Sequence, residues 1–492
     1  MTQHHTGNDA RRAGTARNAR GIPPGSRRRR PTPARRTASG PATPLAPRPS
    51  ELERALDAAQ APAIPTDLPD TFAGLGMPDA LVSILARRGM NAPFAIQART
   101  LRDALAGHDI LGRAQTGSGK TLAFGVPLLA RLAADSTPAR PGRNPRALVL
   151  VPTRELAQQV TDALAPLGQP LGLRLVAVYG GASMGRQIDA LSRGTDVIVA
   201  TPGRLIDLIG QGRARLRSVE TSVIDEADFM ADLGFLPAVT RLLDQTPPDG
   251  QRMLFSATLD RGVDKLAQRY LTEPRFHAVA DASAPVETAS HRFFSLAAEH
   301  KVPVVTELAG RPGRSLLFVR TKHGADRLAK QLRRAGVPAA AIHGNLSQSQ
   351  RNRALDGFAT GSARVLVATD VAARGLHVDD VDLVVHYDPA ADHKDYLHRS
   401  GRTARAGASG TVVSLVLPEQ VRDVSKMHAL AHVSADPADV VPGHAAVVEI
   451  AGSGTPIAPV AGPSLVLPDR GPSRARPRRP VRRTTRAATS RG

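Results

Sequence analysis

The sequence has no cysteine and no tryptophan, and only four tyrosines and eleven phenylalanines in 492 residues. Without thiols there are no disulfides, no thiol nucleophile and no Cys-based zinc site, and a reducing cytosol is the compartment that fits. Scarce aromatics leave little for a platform on which nucleic-acid bases could stack. No run of about 18 apolar residues occurs, so neither a membrane span nor a membrane partner is expected. Acid is also in short supply: 44 Asp and Glu stand against 65 Lys and Arg, a net charge of +21.

That excess sits at the two ends. Residues 1–50 hold eleven arginines and one acid, Asp9, while residues 451–492 hold nine arginines and one acid, Asp469. The ends therefore carry +10 and +8, and the middle keeps the near-neutral surface of an ordinary globular protein. Residues 1–68 and 443–492 are rich in Pro, Gly and Arg and poor in large apolar side chains, so both are expected to be disordered tails. An Arg-rich transit peptide is the rival reading of the first; its prolines and missing apolar helix face argue against it.

Between the tails, apolar runs alternate with helical patterns. Strands are expected at 147–151, 196–200, 222–224 and 253–255, and again at 315–319, 339–342, 365–368, 383–385 and 412–415. Alternation of this kind indicates α/β domains built on parallel sheets. The two halves echo each other. Val-Ile-Val-Ala-Thr at 197–201 parallels Val-Leu-Val-Ala-Thr at 365–369, and the Thr of VLVPTREL (149–156) parallels that of LFVRTKHG (317–324). We expect a duplicated sheet: domain one at 69–280, a linker at 281–290 and domain two at 291–442, facing across a cleft. Ligands of open α/β sheets bind beyond the carboxyl ends of the strands, where nearly every polar motif here falls.

The chain is organised around AQTGSGKT, Ala114, Gln115, Thr116, Gly117, Ser118, Gly119, Lys120 and Thr121, placed after a short apolar step and before a helical run. Glycines let backbone N–H groups wrap phosphate oxygens at a helix N-terminus. Lys120 would reach the β- and γ-phosphates, and the Thr121 hydroxyl would hold Mg²⁺. Asp225-Glu226-Ala227-Asp228 directly follows another strand, where Asp225 would hold Mg²⁺ and its neighbour Glu226 would polarise the attacking water.

With PTRELA (152–157), Gly180-Gly181, TPGR (201–204), SAT (256–258), ATDVAARGL (368–376) and HRSGRTARAG (398–407) in order, the chain resembles the DEAD-box ATP-dependent RNA helicases over roughly residues 72–417. The resemblance implies two tandem RecA-like domains, ATP and Mg²⁺ as cofactors, and RNA as partner. It implies that Gln97 reads the adenine edge, with Phe72 stacking on the base and Asp370 as a further nucleotide contact. Glu226 would be the catalytic base, and Arg402 and Arg405 would reach across the cleft to the γ-phosphate, where a planar guanidinium matches the developing charge. Ser256 and Thr258, with Asp228 and His398, would couple ATP state to closure. RNA would meet Thr153, Arg154, Gly181, Thr201, Gly203 and Arg204 on the first domain and Thr321, Gly344 and Thr369 on the second, mainly through its sugar-phosphate backbone.

Three positions depart from the family pattern: Phe94 stands for a Thr, His377 for an Asp that helps hold the ribose, and Ala404 for a Gly. The expected activity is RNA-dependent ATP hydrolysis by a monomer that locally unwinds short RNA duplexes. An ATP-gated RNA clamp with little strand separation is the alternative, and a DNA helicase a third reading. Ribosome assembly and RNA decay are both compatible settings. The Arg-rich tails would raise RNA affinity in a salt-dependent way.

Overall fold

Runs of Val, Leu, Ile and Ala buried on both sides form the strands, and they pair in parallel throughout. The computed structural model describes residues 51–61, 69–114, 118–134, 142, 144–259, 261–279, 289–373, 381–404 and 409–454. In the first sheet, β1 (Gln60–Ala61), β2 (Ile110–Arg113), β3 (Ala147–Leu150), β4 (Leu175–Val178), β5 (Val197–Ala200), β6 (Thr221–Ile224), β7 (Gln251–Ser256) and β8 (Arg275–Val279) lie in the order β1-β8-β2-β7-β6-β3-β5-β4. Along these strands successive side chains enter opposite cores. Ala147 and Val149 pack with Val197, Val199 and Phe255 on one face, while Leu148 and Leu150 pack with Ile198, Ile224 and Leu254 on the other.

The second sheet comprises β9 (Ala289–Ser295), β10 (Arg314–Phe318), β11 (Ala339–Ile342), β12 (Val365–Ala368), β13 (Val381–His386), β14 (Gly410–Val416) and β15 (Pro437–Asp439), in the order β11-β12-β10-β13-β14-β9-β15. Read from the opposite edge, the first sheet runs β4-β5-β3-β6-β7-β2-β8. Apart from β1, an extra edge strand of the first sheet, the two orders are the same, so the duplication legible in the sequence is a duplication of topology. The echoed threonines do the same local job. Thr153 accepts a hydrogen bond from Leu156 N at 3.2 Å and caps helix Arg154–Gly168; Thr321 accepts from Gly324 N at 3.0 Å and caps helix Lys322–Arg334.

Secondary structure runs past the expected boundaries at three points. Residues 51–61, read as part of a disordered tail, form helix Glu51–Ala58 and β1, because the helix sets Leu56, fully buried, into the first core. At the other end, helix Ala445–Ala451 lies beyond the expected limit of domain two, with Val447 and Ile450 packed into its core. The strand at β9 also begins inside the stretch read as linker. Residues 1–50, 62–68 and 455–492 of the tails, and 281–288 of the linker, lie outside the described residues.

Candidate nucleotide and RNA sites

Both sets of motifs lie at the carboxyl ends of strands, and the first sheet divides them. Three adjacent strands, β2, β7 and β6, lead into AQTGSGKT, SAT and DEAD; the next three, β3, β5 and β4, lead into PTRELA, TPGR and Gly180-Gly181. One half of the sheet edge thus gathers the motifs expected at the nucleotide, and the other half forms a separate polar surface.

On the nucleotide half, Gly119 has φ +89°, a left-handed conformation that glycine adopts without strain, and a Cβ there would lie 2.5 Å from Gln97 Nε2. Gln97 ties the loop down, its amide donating to Gly119 O at 3.0 Å while its carbonyl accepts from Phe94 N at 3.0 Å. Lys120 is buried; its ammonium donates to Ala114 O and Glu226 Oε1, both at 3.0 Å. Burial disfavours that charge, but Glu226, Asp225 and Asp228 outweigh it and hold the lysine protonated. Burial also pushes the Asp225 carboxyl up to about 7, only partly opposed by Lys120. Burial acts on Glu226 in the same direction, yet the charge and hydrogen bond of Lys120, then Arg402 and His398, bring it below the ordinary carboxylate range. Glu226 has φ 53°, an uncommon backbone state for a residue with a side chain and one that collects at functional sites.

The oxygens of Thr121 and Asp225 suit Mg²⁺, which is commonly held by one or two carboxylates together with water and substrate phosphates. Among the described residues no group of three or more acids or histidines would hold a metal by itself. Asp228 joins DEAD to SAT: its Oδ2 accepts from Thr258 N at 2.9 Å and Thr258 Oγ1 at 3.0 Å, and Ser256 Oγ accepts from Asp228 N at 3.1 Å. Three of the four residues expected to couple, Ser256, Thr258 and Asp228, form one hydrogen-bonded network on the first domain; the fourth, His398, belongs to the second and with Arg402 stands close enough to act electrostatically on Glu226.

On the other half, Thr153, Gly181 and Thr201 follow β3, β4 and β5, and Thr321, Gly344 and Thr369 follow the matching β10, β11 and β12. Arg154 packs against Gly181 so closely that a Cβ at Gly181 would lie 2.1 Å from its guanidinium. Arg204 donates to Ala182 O at 3.3 Å beside the exposed Gly203. Beside these residues the domains meet in a contact that sequence reasoning missed. Arg351 Nε donates to Glu155 Oε1 at 2.7 Å and Gln348 Nε2 to the same oxygen at 3.1 Å, with Glu155 and Arg351 both buried. The signal was a glutamate on the first turn after PTR and a Gln-x-x-Arg spacing just beyond Gly344, both readable as ordinary helix surface.

Residues 94–266 match the family model described as DEAD/DEAH box helicase, and residues 300–407 that of the helicase conserved C-terminal domain. The DEAD-box ATP-dependent RNA helicase CshA of Bacillus subtilis is 38% identical over 352 residues, covering 71% of this chain and 70% of that protein. The chain belongs to the DEAD-box RNA helicase family. A chloroplastic DEAD-box ATP-dependent RNA helicase 3A of Zea mays is 45% identical over 363 residues, which is 72% of this chain and 48% of that one. The chain thus spans about half the length of the maize relatives it matches. Among solved structures, S. cerevisiae Dbp5 bound to RNA and ADP BeF3 superposes with a TM-score of 0.66 at 27% identity, over 75% of this chain and 96% of that one.

In this DEAD-box chain several residues expected at the nucleotide have contacts of their own. Phe72 is 2% exposed within the first core. Phe94, 60% exposed, is the aromatic at the phosphate loop, with its ring edge 2.7 Å from where a Gly119 Cβ would be. As the residue before helix Ala95–Ala106 it provides no capping oxygen, so only the Gln97 half of the cap remains. Asp370 is engaged by Arg399, whose guanidinium grips both carboxylate oxygens and also donates to Asp388 O at 2.8 Å. That pins the start of the segment after β12 to helix His393–Ser400, which ends two residues before Arg402. Ala404 sits at φ 54°, the left-handed state for which the family's glycine is suited. Gln115, Thr116, Gly117, His377 and Arg405 lie outside the described residues.

Proposed function

We propose that the chain is an RNA-dependent ATPase that uses closure of its two domains on single-stranded RNA to separate short duplexes. The observation carrying this is the placement of Glu226 between Lys120 of its own domain and the field of Arg402 and His398 from the other. The low pKa of Glu226 leaves a carboxylate facing the phosphate loop, able to orient water and take its proton. Lys120, already protonated, exchanges its contact with Glu226 for phosphate oxygens when ATP enters. Mg²⁺ at Thr121 and Asp225 would offset phosphate charge. Arg402 supplies further positive charge only when the domains meet, and Arg405 is proposed to join it. On the neighbouring half of the cleft, Thr153, Arg154, Gly181, Thr201, Gly203 and Arg204 face Thr321, Gly344 and Thr369 as the RNA track, so RNA binding and assembly of the ATPase site require the same closure.

The test is ATP turnover by the intact chain with and without single-stranded RNA, beside Glu226→Gln. RNA should stimulate turnover strongly, and the substitution should lower it by about 10²–10⁴-fold while ATP still binds. RNA-insensitive turnover would sink the coupled mechanism. Stimulated turnover without strand displacement would favour the clamp.

A further inference from the structure

At the free edge of the second sheet a cavity of about 760 Å³ opens between helices Lys322–Arg334 and Gln348–Ala359. Its floor is β11, whose Ala339, Ala340 and Ala341 are too small to fill it. Its walls are basic. Lys322, Lys330 and Arg333 recur on one helix face with Asp326 between them, and Arg334 and Arg353 add to the rim. All five cations are exposed, and Asp326 is the single acid lining the groove. Buried at the upper end, His343 directs Nε2 to Asp326 at 2.9 Å and has no hydrogen-bond partner at Nδ1.

We propose that this groove holds the phosphodiester backbone of RNA flanking the segment bound in the cleft. The inference rests on the RNA reading above and extends the track past it. Lys322 and Asn345, joined at 3.0 Å, line the groove's mouth and are the chain neighbours of Thr321 and Gly344, where the proposed track ends. Excess positive charge along a concave wall suits a polyanion, and the contacts would carry no sequence preference. An acidic peptide adding to the sheet edge is the competing occupant. It is disfavoured because Arg333 Nη1 already donates to the edge carbonyl of Ala339 at 2.9 Å, and because no large apolar pocket is available to an alternate side chain.

The experiment uses the full chain and the triple variant Lys330→Ala, Arg334→Ala, Arg353→Ala, which spares every residue assigned to ATP or to the cleft. Binding of a long and a short single-stranded RNA, on the order of 30 and 8 nucleotides, is followed by anisotropy across salt with a non-hydrolysable ATP analogue. For the long RNA the slope of log affinity against log salt should fall by about 2, at roughly 0.7 per lost phosphate contact. The short RNA should bind unchanged and stimulate turnover equally. Identical long-RNA slopes overturn the groove proposal, while a short RNA that never stimulates the parent chain overturns the RNA reading itself. Polyglutamate bound by the parent and lost by the variant, with long-RNA slopes equal, also overturns it and assigns the groove to an acidic protein segment. A charge-reversed pair, Lys330→Glu with Arg334→Glu, should weaken long-RNA binding further at an unchanged melting temperature.

Discussion

Two side chains show how this member differs at the scale of single residues. Phe94 lies open beside Gly119 and Gln97, and Phe72 does not, so the base of a bound nucleotide would find its aromatic surface at 94. Replacing Phe94 by Ala should raise KM for ATP about five-fold, the worth of roughly 1 kcal/mol of ring contact, and leave kcat unchanged. Steady-state kinetics over ATP concentration checks this; an unchanged KM would return the stacking role to Phe72 and require that residue to move out of its core. Glu226 and Ala404 carry strain of a different kind, each held at positive φ next to the chemistry. Such states persist only where the surroundings over-determine them. At Glu226 the surroundings are Lys120 and Asp225, whose Oδ1 accepts from Glu226 N at 3.0 Å.

Between elements, the contact of Glu155 with Arg351 is the clearest link joining the two domains. Burial raises the Glu155 carboxyl, and Arg351 more than reverses that, leaving it below its ordinary range. Arg351→Ala would strand a buried carboxylate and cost the closed arrangement about 3–5 kcal/mol. RNA affinity in the presence of an ATP analogue should fall accordingly, with ATP affinity of the RNA-free chain retained; equal RNA affinity would remove the pair from the closing mechanism. Within the second domain, Tyr396 lies 4.7 Å centroid to centroid from both His386 and His428, and His291 Nδ1 lies 2.7 Å from its hydroxyl. Phe293, Ser414 and Arg399 complete the cluster. Burial, then the nearby charges, hold His386 well below its ordinary range and bring His428 to about 4. Both are depressed on folding, so the stability they lend is present above pH 6.5 and is lost as pH falls from 6.5 toward 4. Melting temperature should drop through that window, and His428→Phe should flatten the drop. This cluster and the Glu155–Arg351 pair were illegible in the sequence, because both depend on residues far apart in the chain. The nine expected strands were legible because each is a buried aliphatic run, whereas β4 and β8 were missed where half-exposed positions such as Leu175 and His277 blur the pattern. Helix Glu51–Ala58 was hidden by the composition around it, since a single turn placing Leu56 in the core weighs little against fifty residues rich in Arg and Pro.

For the whole molecule, charge and fold are divided between different stretches of chain. The ends carry +18 of the +21, while the folded middle, near neutral overall, presents small residues and hydroxyls with two arginines, Arg154 and Arg204, to the proposed RNA track. Removing residues 1–48 and 455–492 together should flatten the salt dependence of RNA binding and leave RNA-stimulated kcat within about two-fold. An unaltered slope would assign the ends a role other than RNA contact. The shared strand order has a further consequence. β9 holds the place in the second sheet that β2 holds in the first, yet β2 opens into the glycine-bearing phosphate loop, and the 14 residues after β9, 296–309, contain no glycine. The second domain has no such loop at that place, and its β13–β14 connection instead carries Arg402, which acts on Glu226 of the first. On the function proposed above, the molecule is a pseudo-dimer with a single fuel chamber: one ATP per chain, to be consumed only when both copies agree on the same strand of RNA.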